Sequence, residues 1–198
     1  MKKHDFTAAL QTLKAGGLVI YPTDTQYALG ADIYNETAVR NVFDVKKRPY
    51  SVPLPVAVAS IPVIETIAMM TPLAHTICQR FFPGSLTIIL QKKSTVPKIV
   101  SSGQDTIAVR IPNNPIAFQL LSQFGPLTVT SANLHHEKTL EVISDIRMQL
   151  GTPDLLGLEN GPLPGLPSTI VDLTGPAPRV VRKGPITESE LMDVLTHG

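Results

Sequence analysis

"DTIAVRIPNNP", Asp105 to Pro115, decides the fold class. Ile107, Val109 and Ile111 alternate with Thr106, Ala108 and Arg110, the two-residue period of a strand whose faces differ. Asn114 and Pro115 then mark a helix start. The amide side chain accepts the first free N–H groups, and proline lacks an N–H where none is needed. Gly125 ends that helix. A strand that gives way at once to a helix is the repeating unit of an α/β chain, and the same punctuation recurs in both directions from here.

Further strands are expected at 18–23, 54–59, 85–91, 126–131, 168–174 and 179–183, with the quoted strand at 106–111. Gly16-Gly17 closes a first helix. Val39, Val42, Phe43 and Val45 suggest a second, stopped by Pro49. Thr71-Pro72 opens another, with Leu73, Ile77 and Phe81 on one stripe, and Thr139 opens one that Gly151 closes. Thr187 and Glu190 have the spacing of a capping box on a short C-terminal helix. Residues 151–167 are rich in Gly, Pro and Leu without either period, and read as a long surface connection of the kind that carries function. The expectation is one domain over 1–198, a twisted mixed sheet with flanking helices.

Composition narrows the function classes. In 198 residues, 43% hydrophobic content supports a substantial core rather than disorder. A formal net charge of +1 gives no field-scale attraction to nucleic acid or anionic membrane. The single Cys78 forms no internal disulfide and reads as a buried thiol, which fits a reducing cytosol. "MKKHDFTAAL" has no apolar run of a signal peptide, and the apolar windows are broken well short of a membrane span, so a cytoplasmic location is expected.

Five segments carry candidate chemistry. "YPTDTQYALG" (21–30) places small hydroxyls at a strand end, fit for a polar ligand or for an ordinary Pro-Thr-Asp turn. "NVFDVKKRPYSVPL" (41–54) leaves Lys46, Lys47 and Arg48 in a last helical turn. They could complement the helix dipole, or Lys46 and Arg48 could clamp phosphates. Arg110, on an otherwise apolar strand, needs a carboxylate or phosphate in a wet cleft, or equally a salt bridge to an Asp or Glu. "LTVTSANLHH" (127–136) stops a buried run at Ser131 and Asn133, as expected where a strand reaches a pocket mouth or where a turn satisfies its own backbone. "GLPSTIVDLTGPAPRVVRKGPIT" (165–187) brings Ser168 and Arg182 to the ends of a hairpin, as a site or as a solvated edge. No P-loop, HExxH, G-x-S-x-G or Cys/His cluster is present, and His135-His136 are poorly spaced for joint metal ligation.

Taken in order, "YPTDT.YALG", "KKRP...PL", "PGSLTIIL", "DTIAVRIPNNP", "TSAN" and "STIVDL...RVVRKG" resemble the YrdC-like threonylcarbamoyl-AMP synthase family, over about Gly16 to Gly184. The resemblance implies the short single-domain form, an α/β fold around a large positively lined cavity. It implies a nucleotidyltransferase that joins L-threonine, bicarbonate or CO2, and ATP into threonylcarbamoyl-AMP and pyrophosphate. A partner transferase would then modify adenosine 37 of tRNA.

By motif position, Lys46 and Arg48 would be catalytic grips on the triphosphate. Arg48, Thr106, Ser131, Asn133, Thr139 and Arg182 would bind ATP, and Thr25, Arg110 and Ser168 would bind threonine. Mg2+ would accompany ATP, with no dedicated metal residues. Val52, Ala57, Gln26, Ala28 and the loop "LHHEKT" depart from the family pattern. "YPTDTQYALG" and "VRIPNNPIA" also resemble the YciO-like paralogues, read as nucleotide- or RNA-binding proteins with little synthase activity. The retained Lys-x-Arg and Ser-x-Asn pairs favour the synthase. A non-catalytic RNA-binding module and a carbamoyl-adenylate activity are the rival classes, separable by salt-dependent tRNA binding and by substrate exchange.

Overall fold

Strands and helices alternate along this chain, yet the strands are sorted into two sheets. The computed structural model describes residues 3–163 and 165–197. Helix α1 (Lys3–Lys14) leads into a hairpin of β1 (Val19–Pro22) and β2 (Tyr27–Gly30), followed by α2 (Glu36–Lys46), β3 (Val56–Ala57), α3 (Ile61–Ile67) and α4 (Pro72–Phe81). Strands β4 (Leu86–Gln91) and β5 (Thr106–Arg110), helix α5 (Pro115–Phe124), and strands β6 (Leu127–Thr128) and β7 (Thr130–Ser131) come next. The chain continues with α6 (Ile143–Leu150), β8 (Leu156–Gly157), β9 (Thr169–Asp172), β10 (Arg179–Arg182) and α7 (Glu188–His197).

The smaller sheet has the order β7-β2-β1-β8 and the larger β10-β9-β4-β5-β3-β6, both mixing parallel and antiparallel pairs. The run expected as one strand at 126–131 is two short ones, because the chain leaves the larger sheet after Thr128 and joins the smaller at Thr130. Buried polar bonds stitch that crossing. Thr128 Oγ1 donates to the Leu29 carbonyl at 2.9 Å and accepts from the Ala31 N–H at 2.9 Å, while the Tyr21 hydroxyl donates to the Thr128 carbonyl at 2.9 Å. Burial drives the Tyr21 hydroxyl pKa upward, so it serves as a neutral donor.

The mixed α/β class expected from the sequence stands, with its strands divided between the two sheets. Alternation along β1 and β2 feeds two apolar clusters. Ile20 and Leu29 join the larger one, with α2, α3, α4 and α6, whereas Val19, Tyr21 and Ala28 join a smaller one with α1 and α5. Asn114 accepts from the N–H groups of Ile116 and Ala117, and Thr187 and Glu190 form the reciprocal capping box.

One helix reading and one loop reading change. Thr139 does not cap a helix: α6 starts at Ile143 after Val142, which supplies no side-chain cap. Within 151–167, Leu156 and Gly157 pair with β1 as strand β8, so that connection is anchored to the smaller sheet. Cys78 is fully buried, and its thiol is pushed up to about 12, an inert side chain.

Candidate active site

The two sheets and the segment after α2 enclose a cavity of about 470 Å3. One face of the larger sheet forms its floor. Thr87 and Ile89 of β4, Thr106, Ala108 and Arg110 of β5, and Ile170 of β9 point into it, while their alternate neighbours Ile88, Val109 and Val171 point into the core. The hairpin turn with Thr23, Thr25 and Gln26, together with Thr130 and Ser131, forms the facing wall. Arg48, Val52, Pro53 and Pro55 close a third side, and Ser168 and Arg182 a fourth. Segments more than a hundred residues apart thus present cations and hydroxyls to one hollow.

Arg110 is buried, 5% exposed. It donates through Nη2 to Asp24 Oδ1 at 2.7 Å and through Nη1 to Thr25 Oγ1 at 2.9 Å. Its Nε is buried with no hydrogen-bond partner. Asp24 also accepts from Ser85 Oγ at 2.7 Å and from the Asn113 N–H at 3.1 Å, so the carboxylate is fixed on every side. Burial lowers the Arg110 pKa and Asp24 opposes that shift, leaving a charge-balanced pair. Of the two readings of Arg110 left open by the sequence, the salt bridge to an acidic residue is present, on a face that lines the cleft.

Thr23 and Thr25 share a hydrogen bond at 2.9 Å, and Thr87 and Ser168 share one at 2.8 Å. Arg182 donates to the Ser168 carbonyl at 3.0 Å and to Ser168 Oγ at 3.1 Å. Gly184 makes the second hairpin fit, because a Cβ there would stand 2.4 Å from the Thr169 backbone nitrogen.

The opposite end is built differently. Arg48 donates through Nε to the Val52 carbonyl at 2.9 Å and through Nη2 to the Pro53 carbonyl at 2.7 Å. Those neutral acceptors orient the guanidinium without cancelling its charge, and burial alone lowers its pKa. Arg182 likewise meets no carboxylate among the described residues; burial and then Arg110 lower its pKa. Fixed, uncompensated cations of this kind suit an anion that arrives from solution.

Of the residues singled out in the sequence, Thr25, Arg48, Thr106, Arg110, Ser131, Ser168 and Arg182 line the cavity. Three do not. Lys46 and Asn133 lie behind the Ser131 wall, bonded to each other, and Thr139 Oγ1 accepts from Gln26 Nε2 at 3.2 Å on the rim. Ala57 packs in the smaller apolar cluster, whereas Val52 is on the cavity wall. Asp24, Ser85, Thr87 and Gln26 were not among the candidates. Asp24 lay inside a quoted motif, and Thr87 alternates with the core residues of β4, so both signals were present. Gln26 Nε2 also donates to the Gly165 carbonyl at 2.6 Å, tying the hairpin to the long connection.

Residues 11–184 match the Sua5/YciO/YrdC family, described as telomere recombination. The chain belongs to that family. A Mycobacterium tuberculosis relative is 34% identical over 196 residues, covering 98% of this chain and 90% of its own length. The threonylcarbamoyl-AMP synthase of Pyrococcus abyssi is 34% identical over 199 residues, covering 92% of this chain and 55% of the relative. The structure of Pyrococcus abyssi Sua5 complexed with L-threonine superposes with a TM-score of 0.92 at 32% identity, over 98% of this chain and 58% of that one. Escherichia coli YciO gives a TM-score of 0.87 at 28% identity, over 96% and 94% of the two chains. This chain therefore spans little more than half of the Pyrococcus protein and nearly all of YciO.

Proposed function

We infer that this chain is a threonylcarbamoyl-AMP synthase, a nucleotidyltransferase that joins L-threonine, bicarbonate or CO2, and ATP. One observation carries the reading: Arg48, Arg110, Ser131, Ser168 and Arg182 converge on a single cavity. The names of the 34% identical synthase and of the threonine complex support it.

The chemistry suits a site without a nucleophile. The threonine amine adds to CO2 and releases a proton, giving a carbamate. A carbamate oxygen attacks the α-phosphorus of ATP, and the bond from that phosphorus to the bridging oxygen breaks, so pyrophosphate leaves with the electron pair. What the protein must supply is alignment of two anions and stabilisation of charge gathering on the leaving group. In this reading Arg110 takes the threonine carboxylate, and Thr25 and Ser168 flank the amino acid. Arg48, Ser131 and Arg182 take the phosphates, and Thr106 contacts the nucleotide from the floor.

ATP is a substrate here. Among the described residues no group of three His, Cys, Asp or Glu side chains is placed to hold a metal ion, and Asp24 is engaged by Arg110, Ser85 and Asn113. Mg2+ would arrive on the phosphates, and no step is assigned to it. The product would pass to a threonylcarbamoyl transferase acting on tRNA, in the cytoplasm. No helix among the described residues is long and apolar enough to cross a membrane.

The direct test is pyrophosphate release. Purified protein should release pyrophosphate only when ATP, L-threonine and bicarbonate are all present. Release that is independent of threonine, or absent beside an active homologue, would reject the assignment.

A further inference from the structure

Lys46 was expected to grip phosphate, yet it is 1% exposed and lines no part of the cavity. Its ammonium group donates to the carbonyl of Ser131, to the carbonyl of Asn133 at 2.5 Å, and to Asn133 Oδ1 at 3.3 Å. An ammonium has three N–H donors, and the oxygens of this one turn take all three. The main chain adds a tie, with the His135 N–H donating to the Lys46 carbonyl at 2.8 Å. No acidic partner compensates the charge among the described residues. Unpaired buried ammonium groups are unfavourable, so the full set of carbonyl acceptors is what makes this placement tolerable.

The turn held in this way forms part of the cavity wall. Ser131, which lines the hollow, donates through Oγ to Asn133 Oδ1 at 2.6 Å, and Asn133 Nδ2 donates to the Glu137 carbonyl at 2.6 Å. Asn133 Oδ1 thus accepts from both Lys46 and Ser131. The lysine sets the amide, and the amide sets the serine hydroxyl. Without the ammonium, the Ser131 and Asn133 carbonyls would lose their partner and turn towards other donors or water.

We propose that Lys46 is a positioning residue. It fixes the Ser131–Asn133 turn so that the Ser131 hydroxyl and the adjoining main chain meet the nucleotide phosphates, and it does not touch the phosphates itself. The assignment rests on the reading of the cavity as a nucleotide site.

A double-mutant cycle measured by calorimetric binding of ATP, without threonine, tests it. Lys46→Met should weaken ATP binding by roughly tenfold, the scale of one misplaced hydrogen bond to an anion. L-threonine binding should stay within about twofold, a selectivity that general destabilisation would not produce. In the Ser131→Ala/Asn133→Ala background, Lys46→Met should cost no more than about threefold, because the hydroxyl and amide it orders are gone and only its two main-chain carbonyl partners remain. A second tenfold loss in that background, as for a direct phosphate contact, overturns the proposal.

Nitrogen NMR of the wild-type protein tests the same point without a variant. The Lys46 ammonium resonance should hold its position when ATP saturates the site, while the Arg48 Nε resonance moves. A coupling between Lys46 Nζ and a phosphate phosphorus would overturn the assignment. No ATP binding by the wild-type protein would reject the synthase reading and this inference together; binding with additive losses would reject this inference alone.

Discussion

The two ends of the cavity hold arginines under opposite rules. Arg110 is anchored by a carboxylate, Asp24, which Ser85 and the Asn113 N–H hold in turn. Arg48 is anchored by the carbonyls of Val52 and Pro53, which carry no charge to offset its own. The Arg110–Asp24 pair is neutral and pre-shaped, fit for a small zwitterion whose carboxylate needs direction more than attraction. The second end keeps its positive charge, fit for a polyanion that must be drawn from water. On the proposed function, the amino acid would take the first end and the triphosphate the second.

The sharpest way to break this contrast is to remove the carboxylate. Asp24→Ala leaves the buried Arg110 charge uncompensated and should lower stability by about 3 kcal/mol in denaturant unfolding, as when one partner of a buried pair is lost. A change within about 0.5 kcal/mol would show that Arg110 does not depend on Asp24. At the other end, Arg48→Ala should leave stability nearly unchanged and reduce kcat/KM for pyrophosphate release by the equivalent of roughly 2–4 kcal/mol, by analogy with the loss of one oxyanion donor. Unchanged turnover would remove Arg48 from the site.

Lys46 sharpens the contrast through pH. Burial, and then Arg48, pull its pKa down to about 7 from an ordinary 10.5. Below pH 7 the group is charged in both folded and unfolded chains. Between about pH 7 and 10 the unfolded chain keeps the proton that the folded one releases, so this group makes stability rise with pH, by at most about 1.4 kcal/mol per unit. The difference in unfolding free energy between the wild type and Lys46→Met should carry that slope; a flat difference would contradict it. The smallest effect belongs to Gln26→Val. It frees the Gly165 carbonyl and Thr139 Oγ1, and should lower stability by about 1 kcal/mol while leaving the Arg110–Asp24 end intact.

The floor of the site was legible in the sequence because strand alternation is a local rule. The assignment of Thr106, Ala108 and Arg110 to one face of β5 and of Ile107, Val109 and Ile111 to the other matches the coordinates residue by residue. The motif at 21–30 was read as hydroxyls at a strand end, for a polar ligand or a Pro-Thr-Asp turn, and its last four residues, strand β2, were missed, since four buried residues beside a Thr-Asp-Thr turn give too short a period to recognise. The crossing at Val129 was not legible either. An apolar β-branched run looks the same whether it stays in one sheet or changes sheets, and the choice depends on Thr128 finding partners in Leu29 and Ala31. Thr139 misled because hydroxyls that cap helices also accept from side chains, here Gln26. Which cation faces the cavity was beyond local pattern. Lys46 and Arg48 sit two residues apart at the end of α2, and only the packed Ser131–Asn133 turn separates the buried one from the one in the wall.

The most direct measurement is a crystal structure with L-threonine and a non-hydrolysable ATP analogue bound together. The threonine carboxylate is expected within hydrogen-bonding distance of the Arg110 guanidinium, and the triphosphate on Arg48, Ser131 and Arg182. Phosphates seated against the Arg110–Asp24 pair, or threonine bound outside the cavity, would contradict it.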